Sequence, residues 1–230
     1  MFKKILSWFK LSSEKEAQKT SRKPTSPNTP KKRTIDSSRI GELGEYKINI
    51  QLDQLPKDTK YLSDIMIKNP KSRTGYSQID HIVISPNGLF VIETKNYNGE
   101  IKGGRTDKYW RVSNRFNMFN PLKQNYGHIK AIERVLSEFP DLLYISMISF
   151  TMRCRFSIDP DLRKIESNEL IVYDTELSEF ISRKINRIRA TSDKVLLTDA
   201  EVQRIYETIQ GSNITDPVLR SEHVAKIKKE

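Results

Sequence analysis

Asp80, Glu93 and Lys95 are charged residues set inside two apolar runs, Ile79–Ile84 and Leu89–Lys95. Charged side chains are seldom buried unless they pair or hold a metal. Strand alternation puts Glu93 and Lys95 on one face. Two acids and a lysine converging on a sheet surface are the minimum equipment of a magnesium-dependent phosphodiesterase. Mg2+ takes one or two carboxylates and fills its remaining positions with water and substrate phosphate oxygens. It activates a water and neutralises charge developing on the phosphate. Lys95 would then orient the attacking water or stabilise the transition state. The bland alternative is a pair of exposed carboxylates on an edge strand, with Lys95 as their surface partner.

Whether Asp80 meets Glu93 depends on the turn Ser85-Pro86-Asn87-Gly88, whose residues are strong turn formers. A symmetric loop of two or four residues pairs Asp80 with Glu93 or with Lys95, and all three charges share a face. A three-residue loop with a glycine bulge pairs Asp80 with Thr94 and splits the set. The active-site reading requires the symmetric register.

The elements around this hairpin follow from periodicity. Ile40, Leu43, Tyr46 and Ile50 predict a helix from about Ser38 to Leu52, with Glu45 on the same face as Gly41. Gly41 and Gly44 each cost about 1 kcal/mol inside a helix, which points to close approach of that helix to the sheet. Tyr61–Lys68 reads as a first strand. The two charged strands are apolar on both faces, as central strands are. Short strands are expected around Ile101 and over Trp110–Val112. Asn120-Pro121 caps a helix carrying Leu122, Tyr126, Ile129, Ile132, Leu136 and Phe139. Leu143–Phe150, Met152–Phe156 and Leu170–Tyr173 read as strands. Asp174 caps a helix through Ile188, and the capping box Thr198–Glu201 opens another that stops at Gly211. One weak helix is expected after Pro217. The fold class is α/β, a central mixed sheet flanked by helices.

With these residues in order, a resemblance becomes specific. Gly-Glu-Leu-Gly-Glu45, Gln-Ile-Asp80-His-Ile-Val-Ile-Ser and Gly88-Leu-Phe-Val-Ile-Glu93-Thr-Lys95-Asn-Tyr-Asn-Gly99 resemble the nuclease-related domain (NERD) family. Trp110 and Asn120-Pro-Leu-Lys-Gln124 continue the match, which spans roughly residues 38–140. The resemblance implies the restriction-endonuclease-like fold with its αβββαβ core, and Glu45, Asp80, Glu93 and Lys95 as the active-site set. Gln124 would be an accessory residue; related exonuclease-like members often carry a tyrosine four positions on, where this chain has His128. The function expected is metal-dependent (Mg2+ or Mn2+) hydrolysis of phosphodiester bonds in DNA. Asp80, Glu93 and the Thr94 carbonyl would hold the metal.

The net charge of +11 suggests a polyanionic partner, but residues 1–36 carry +7 of it. The folded part is only mildly basic. Lys102, Arg105, Lys108, Arg111 and Arg115 are candidate nucleic-acid contacts, interleaved with Tyr97, Tyr109 and Trp110 as stacking surfaces; a solvated hairpin face is the rival reading. Residues 1–11 form a basic amphipathic segment, a candidate for weak peripheral membrane contact. Residues 12–36, rich in Lys, Ser, Thr and Pro, read as a disordered linker. Residues 37–211 are the nuclease-like domain and 212–230 a tail. The single cysteine excludes an internal disulfide and fits a cytoplasmic setting. Three scattered histidines give no zinc pattern, and His81 should point away from Asp80 as a packed residue. Two rival functions stay open: a nucleic-acid-binding module with little hydrolysis, and an adaptor tethered to a membrane surface by its N-terminus.

Overall fold

The computed structural model describes residues 46–191 and 197–227. The basic segment 1–11, the linker 12–36, Gly41, Gly44 and Glu45 lie outside the described residues, so the expectations placed on them are not addressed.

Five strands form the main sheet. After a helical segment at 46–52 (α1) come β1 (Lys60–Lys68), β2 (Tyr76–Ser85) and β3 (Gly88–Lys95), an antiparallel meander. β7 (Tyr144–Phe150) and β9 (Glu169–Tyr173) extend it in parallel, giving the order β1-β2-β3-β7-β9. A second, four-stranded sheet has the order β6-β5-β4-β8, from β4 (Gly99–Gly103), β5 (Tyr109–Val112), β6 (Phe116–Phe119) and β8 (Cys154–Ile158). Helices α2 (Pro121–Val135), α3 (Leu177–Thr191), α4 (Asp199–Gly211) and α5 (Pro217–Ile227) complete the described fold.

Both faces of the main sheet are covered, which explains the uninterrupted apolar runs of β2 and β3. Ile82, Ile84, Leu89 and Val91 pack against Ile129, Ile132 and Ile205 of α2 and α4. Val83, Phe90 and Ile92 pack against Ile48, Leu52, Phe180 and Ile181 of α1 and α3. The smaller sheet buries one face only: Ile101, Trp110, Val112 and Met118 meet Leu122, Phe150 and Leu162. Gly103 permits this closeness, because a Cβ there would stand 2.3 Å from the Trp110 ring.

Several expectations are corrected. In α1 the buried stripe is Ile48 and Leu52, while Tyr46 and Ile50 are exposed; two apolar sets share the same i, i+4 spacing, and contact with the sheet selects between them. Tyr126 of α2 is exposed as well, and the buried face runs instead through Leu122, Asn125, His128, Ile129 and Ile132. Trp110 is fully buried and so provides no stacking surface. β6 and its turn were not foreseen: Ser113 and Asn114 both take positive φ (46° and 53°) without a glycine to announce it. Residues 213–227, read as part of a tail, pack on the sheet. Ile214 N donates to Met66 O, Asn213 Oδ1 accepts from Met66 N, and His223 is buried beside Tyr76.

Candidate active site

The β2–β3 hairpin closes through two residues, Pro86 and Asn87, with Ser85 opposite Gly88 and His81 opposite Ile92. This is the symmetric register; the paired ladder ends at His81 and Ile92, with Asp80 and Glu93 the next residues along the two strands. Ser85 Oγ donates to Gly88 O at 2.9 Å within the turn. Gly88, at φ +142°, lies so near Leu143 O that a Cβ would approach it to 2.7 Å.

Asp80 escapes the core through a local break in the pleat. Ile82 and Ile84 face the α2 layer, and so does Ile79, three residues before Ile82. On β1, Leu62 and Ile65 repeat the break, and Asp64 between them has φ +53°. The ladder runs on either side of this point, Ser63 with His81 and Ile65 with Ile79. Strict alternation would have buried Asp80 in an apolar layer; instead its carboxylate turns to β3. Thr94 donates to Asp80 Oδ2 twice, from its amide at 2.7 Å and its hydroxyl at 2.6 Å. No donor among the described residues reaches Oδ1.

Glu93 and Lys95 share a face, as alternation requires. Lys95 Nζ donates to Glu93 Oε1 at 2.6 Å and to Gln124 Oε1 at 3.0 Å, and Gln124 Nε2 donates to Glu93 Oε1 at 2.7 Å. His128, one turn further along α2, brings Nε2 within 3.3 Å of Glu93 Oε2 without the angle of a hydrogen bond. Asn125 fixes the helix that presents both residues: its Nδ2, fully buried, donates to Val91 O and Ser146 Oγ, each at 2.8 Å. The N-terminus of α2 is anchored by Asn120, whose Oδ1 accepts from Leu122 N while Nδ2 donates to Asp107 O.

Electrostatics divide the labour between the two acids. Burial works to raise Glu93, but the Lys95 ammonium and His128 outweigh it and hold the carboxyl at about 2. Burial, then the nearby Glu93 charge, push Asp80 up to about 7 against the two bonds from Thr94. Burial works to lower Lys95, and Glu93 more than reverses it, so the amine stays protonated. Lys95 is therefore a fixed cation and not a base at neutral pH. His81 faces the other way: Nε2 lies 3.1 Å from Asn49 Oδ1, and burial lowers its pKa to about 4.

Asp80, Glu93, Thr94 and Lys95 open into one cleft of about 330 Å³, whose far wall is Ser149, Thr151 and Asp174. Sequence reasoning missed that wall. Ser149 stands beside Thr94 in the parallel ladder and is buried, and its Oγ has no hydrogen-bond partner among the described residues. It comes from β7, the fourth strand across the main sheet, and nothing in a lone serine marks it. The sequence marks Asp174 only as a helix cap, and His128 only as a departure from a tyrosine.

The donor set fits a hard divalent cation. Asp80 Oδ1 meets no donor among the described residues, and a second carboxylate lies close enough to raise the Asp80 pKa. Mg2+ asks a protein for one or two carboxylates and keeps its waters. Among the described residues, no three His, Cys, Asp or Glu side chains are grouped so as to hold a metal ion by themselves.

The basic candidates separate into two groups. Lys102 and Arg111 lie side by side on the outer face of the smaller sheet, with Lys108 over the Tyr109 ring. Arg105 is ion-paired with Glu169 at 2.7 Å, and Arg115 donates to the Asn98 carbonyl. Tyr97 lines the cleft and meets Phe116 edge-on at 5.6 Å.

Residues 40–151 match the family model described as nuclease-related domain. An uncharacterized protein of Bacillus anthracis is 34% identical over 188 residues, spanning 80% of this chain and 82% of that protein. The chain belongs to the nuclease-related domain family. The crystal structure of a protein of unknown function overlays 74% of this chain and 100% of its own, at TM-score 0.25 and 12% identity. That likeness is too low to carry an argument. The nuclease-related domain spans α1 to the end of β7, so it contains Asp80, Glu93, Lys95, Gln124 and Ser149, while Asp174 lies beyond it. Among the described residues no helix is long and apolar enough to cross a membrane.

Proposed function

We propose that this nuclease-related domain is a Mg2+-dependent nuclease of the restriction-endonuclease-like superfamily, hydrolysing phosphodiester bonds in DNA. The observation that carries the reading is the clamp on Lys95. A largely enclosed ammonium is fixed between Glu93 and Gln124 in the cleft that also holds Asp80. A binding surface has no need to bury a charged lysine beside two acids, since phosphate contacts work from exposed cations.

Asp80, Glu93 and the Thr94 carbonyl would hold the cation, which supplies a Lewis acid and an activated water. Thr94 keeps the Asp80 carboxylate turned into the cleft. Lys95, protonated and immobile, supplies fixed positive charge where the phosphate gains negative charge, a preorganised arrangement that needs no rearrangement during reaction. Gln124 keeps the ammonium from collapsing wholly onto Glu93. Glu45 remains a candidate supporting acid.

The test is cleavage of labelled DNA in Mg2+ or Mn2+ by the full chain and by Asp80→Ala and Lys95→Ala. Each substitution should cost at least about a hundredfold in rate, the scale for losing one preorganised electrostatic group. Equal cleavage by all three proteins would assign the activity to a contaminant and remove the enzymatic reading.

A further inference from the structure

The outer face of the smaller sheet has a composition that its fold does not require. Reading across the four strands in register, Asn117, Arg111, Lys102 and Ser157 form one row. Four strands span about 14 Å at the usual spacing. Like charges directly opposed across strands destabilise a sheet, yet Lys102 and Arg111 are opposed here and neither has an ion-pair partner among the described residues. Beside this row, Tyr109 is opposite Phe119, their rings 6.2 Å apart and edge-on. Both are about half exposed, 52% and 46%. Tyr109 borders a trough of about 500 Å³ that Lys102, Arg111, Asn117 and Ser157 also line.

The acids at its rim, Asp107 and Asp159, are turned to their own loops. Asp107 Oδ2 accepts from Gly104 N at 2.7 Å, and Asp159 Oδ1 accepts from Asp161 N at 2.9 Å. The middle of the face is left to two cations flanked by amide and hydroxyl groups, with two aromatic rings alongside.

We infer that this face is a binding platform for single-stranded nucleic acid, with bases stacked on Tyr109 and Phe119 and phosphates over Lys102 and Arg111. This rests on the nuclease reading of the cleft and specifies its substrate class. Cations alone would serve a duplex equally well, because they meet only its backbone. Exposed rings do not, since bases in a duplex hide their faces within the stack. Unpaired bases offer those faces, and stacking on aromatic side chains tolerates any sequence. The chain runs directly from the cleft to the platform sheet: β4 begins four residues after Lys95, and Thr151 N donates to Lys95 O at the end of β3.

Fluorescence anisotropy of the full chain with a 20-nucleotide single strand and a 20-base-pair duplex, in EDTA so that neither is cut, tests the platform. The single strand should bind more tightly. Tyr109→Ala/Phe119→Ala should weaken it by at least about tenfold and leave the duplex nearly unchanged. Lys102→Gln/Arg111→Gln should flatten the salt dependence for both. Both ring substitutions are at exposed positions, and an unchanged thermal melt controls for folding. Photo-cross-linking of a halogenated single strand should yield adducts at Tyr109 or Phe119. Wild-type affinity in the ring variant, or adducts only elsewhere in the chain, overturns the platform. Binding without Mg2+-dependent cleavage would sink the nuclease reading and leave the platform standing, so the two failures are distinct.

Discussion

The two sheets handle charge in opposite ways. In the five-stranded sheet, buried Glu93 and half-buried Lys95 are ion-paired and bonded to a helix residue, Gln124, whose own helix is pinned to β3 by Asn125. In the four-stranded sheet, Lys102 and Arg111 stand in the open, opposed to each other across a strand pair. The first arrangement holds its side chains in one geometry at the expense of desolvation. The second leaves long side chains free to follow a flexible ligand. Chemistry needs the former, and tolerant binding of a variable polymer needs the latter. Helix cover makes the difference: the main sheet is packed on both faces and the smaller sheet on one.

That contrast is broken most severely by removing the buried cation. Lys95→Ala leaves Glu93 inside the protein without its counter-ion, beside Gln124 and His128. Losing one member of a buried pair typically costs about 3–5 kcal/mol, because the partner charge is left uncompensated. Glu93 can relieve this by taking up a proton, so the loss should be smaller at pH 5 than at pH 8. Chemical denaturation of the variant at the two pH values measures both effects. A variant as stable as the wild type would mean that Lys95 is solvated and not clamped.

How far these features were legible in the sequence varies with the distance between partners. Glu93 and Lys95 could be placed by alternation alone, and Asp80 by counting across a short turn. Gln124 was reachable through its resemblance to the nuclease-related domain. Ser149, from a strand fifty residues away that joins β3 in parallel, had no local signal at all. The break in the pleat at Asp64 and Asp80 was equally hidden, because it is imposed by the packing of Leu62, Ile65, Ile79 and Ile82 on one helix layer. β6 escaped because a four-residue edge strand with exposed phenylalanines has neither alternation nor a glycine turn to reveal it.

A gentler intervention on the buried side concerns Asp80. Its folded-state pKa is raised from 3.8 to about 7 when no metal is bound. The folded protein thus holds this proton more tightly than the unfolded chain. The resulting stability is fully present below about pH 4 and is lost as pH rises through 7. Asp80→Asn cannot ionise, and its side-chain oxygen can still accept from Thr94. In EDTA the variant should therefore gain on the wild type between pH 4 and pH 8, by on the order of 2 kcal/mol once partial solvent exposure is allowed for. Parallel denaturation curves for the two proteins across that window would contradict the burial of the Asp80 carboxylate.

The smallest expected effect lies on the open sheet and has the opposite sign. Lys102 faces Arg111 at hydrogen-bonding strand distance, and neither draws an acid among the described residues. Lys102→Gln keeps a long polar side chain and removes the repulsion. Folding stability should rise by about 0.2–0.5 kcal/mol at low salt, the scale of a cross-strand charge pair, and the gain should fade at 1 M salt, where the screening length falls to about 3 Å. Thermal melts at the two ionic strengths read it. A loss of stability would show that Lys102 already has a structural partner, and the face would then need no ligand to account for its charge. A gain identifies a site where stability is given up for a cation, the inverse of Lys95, whose cation the fold cannot lose.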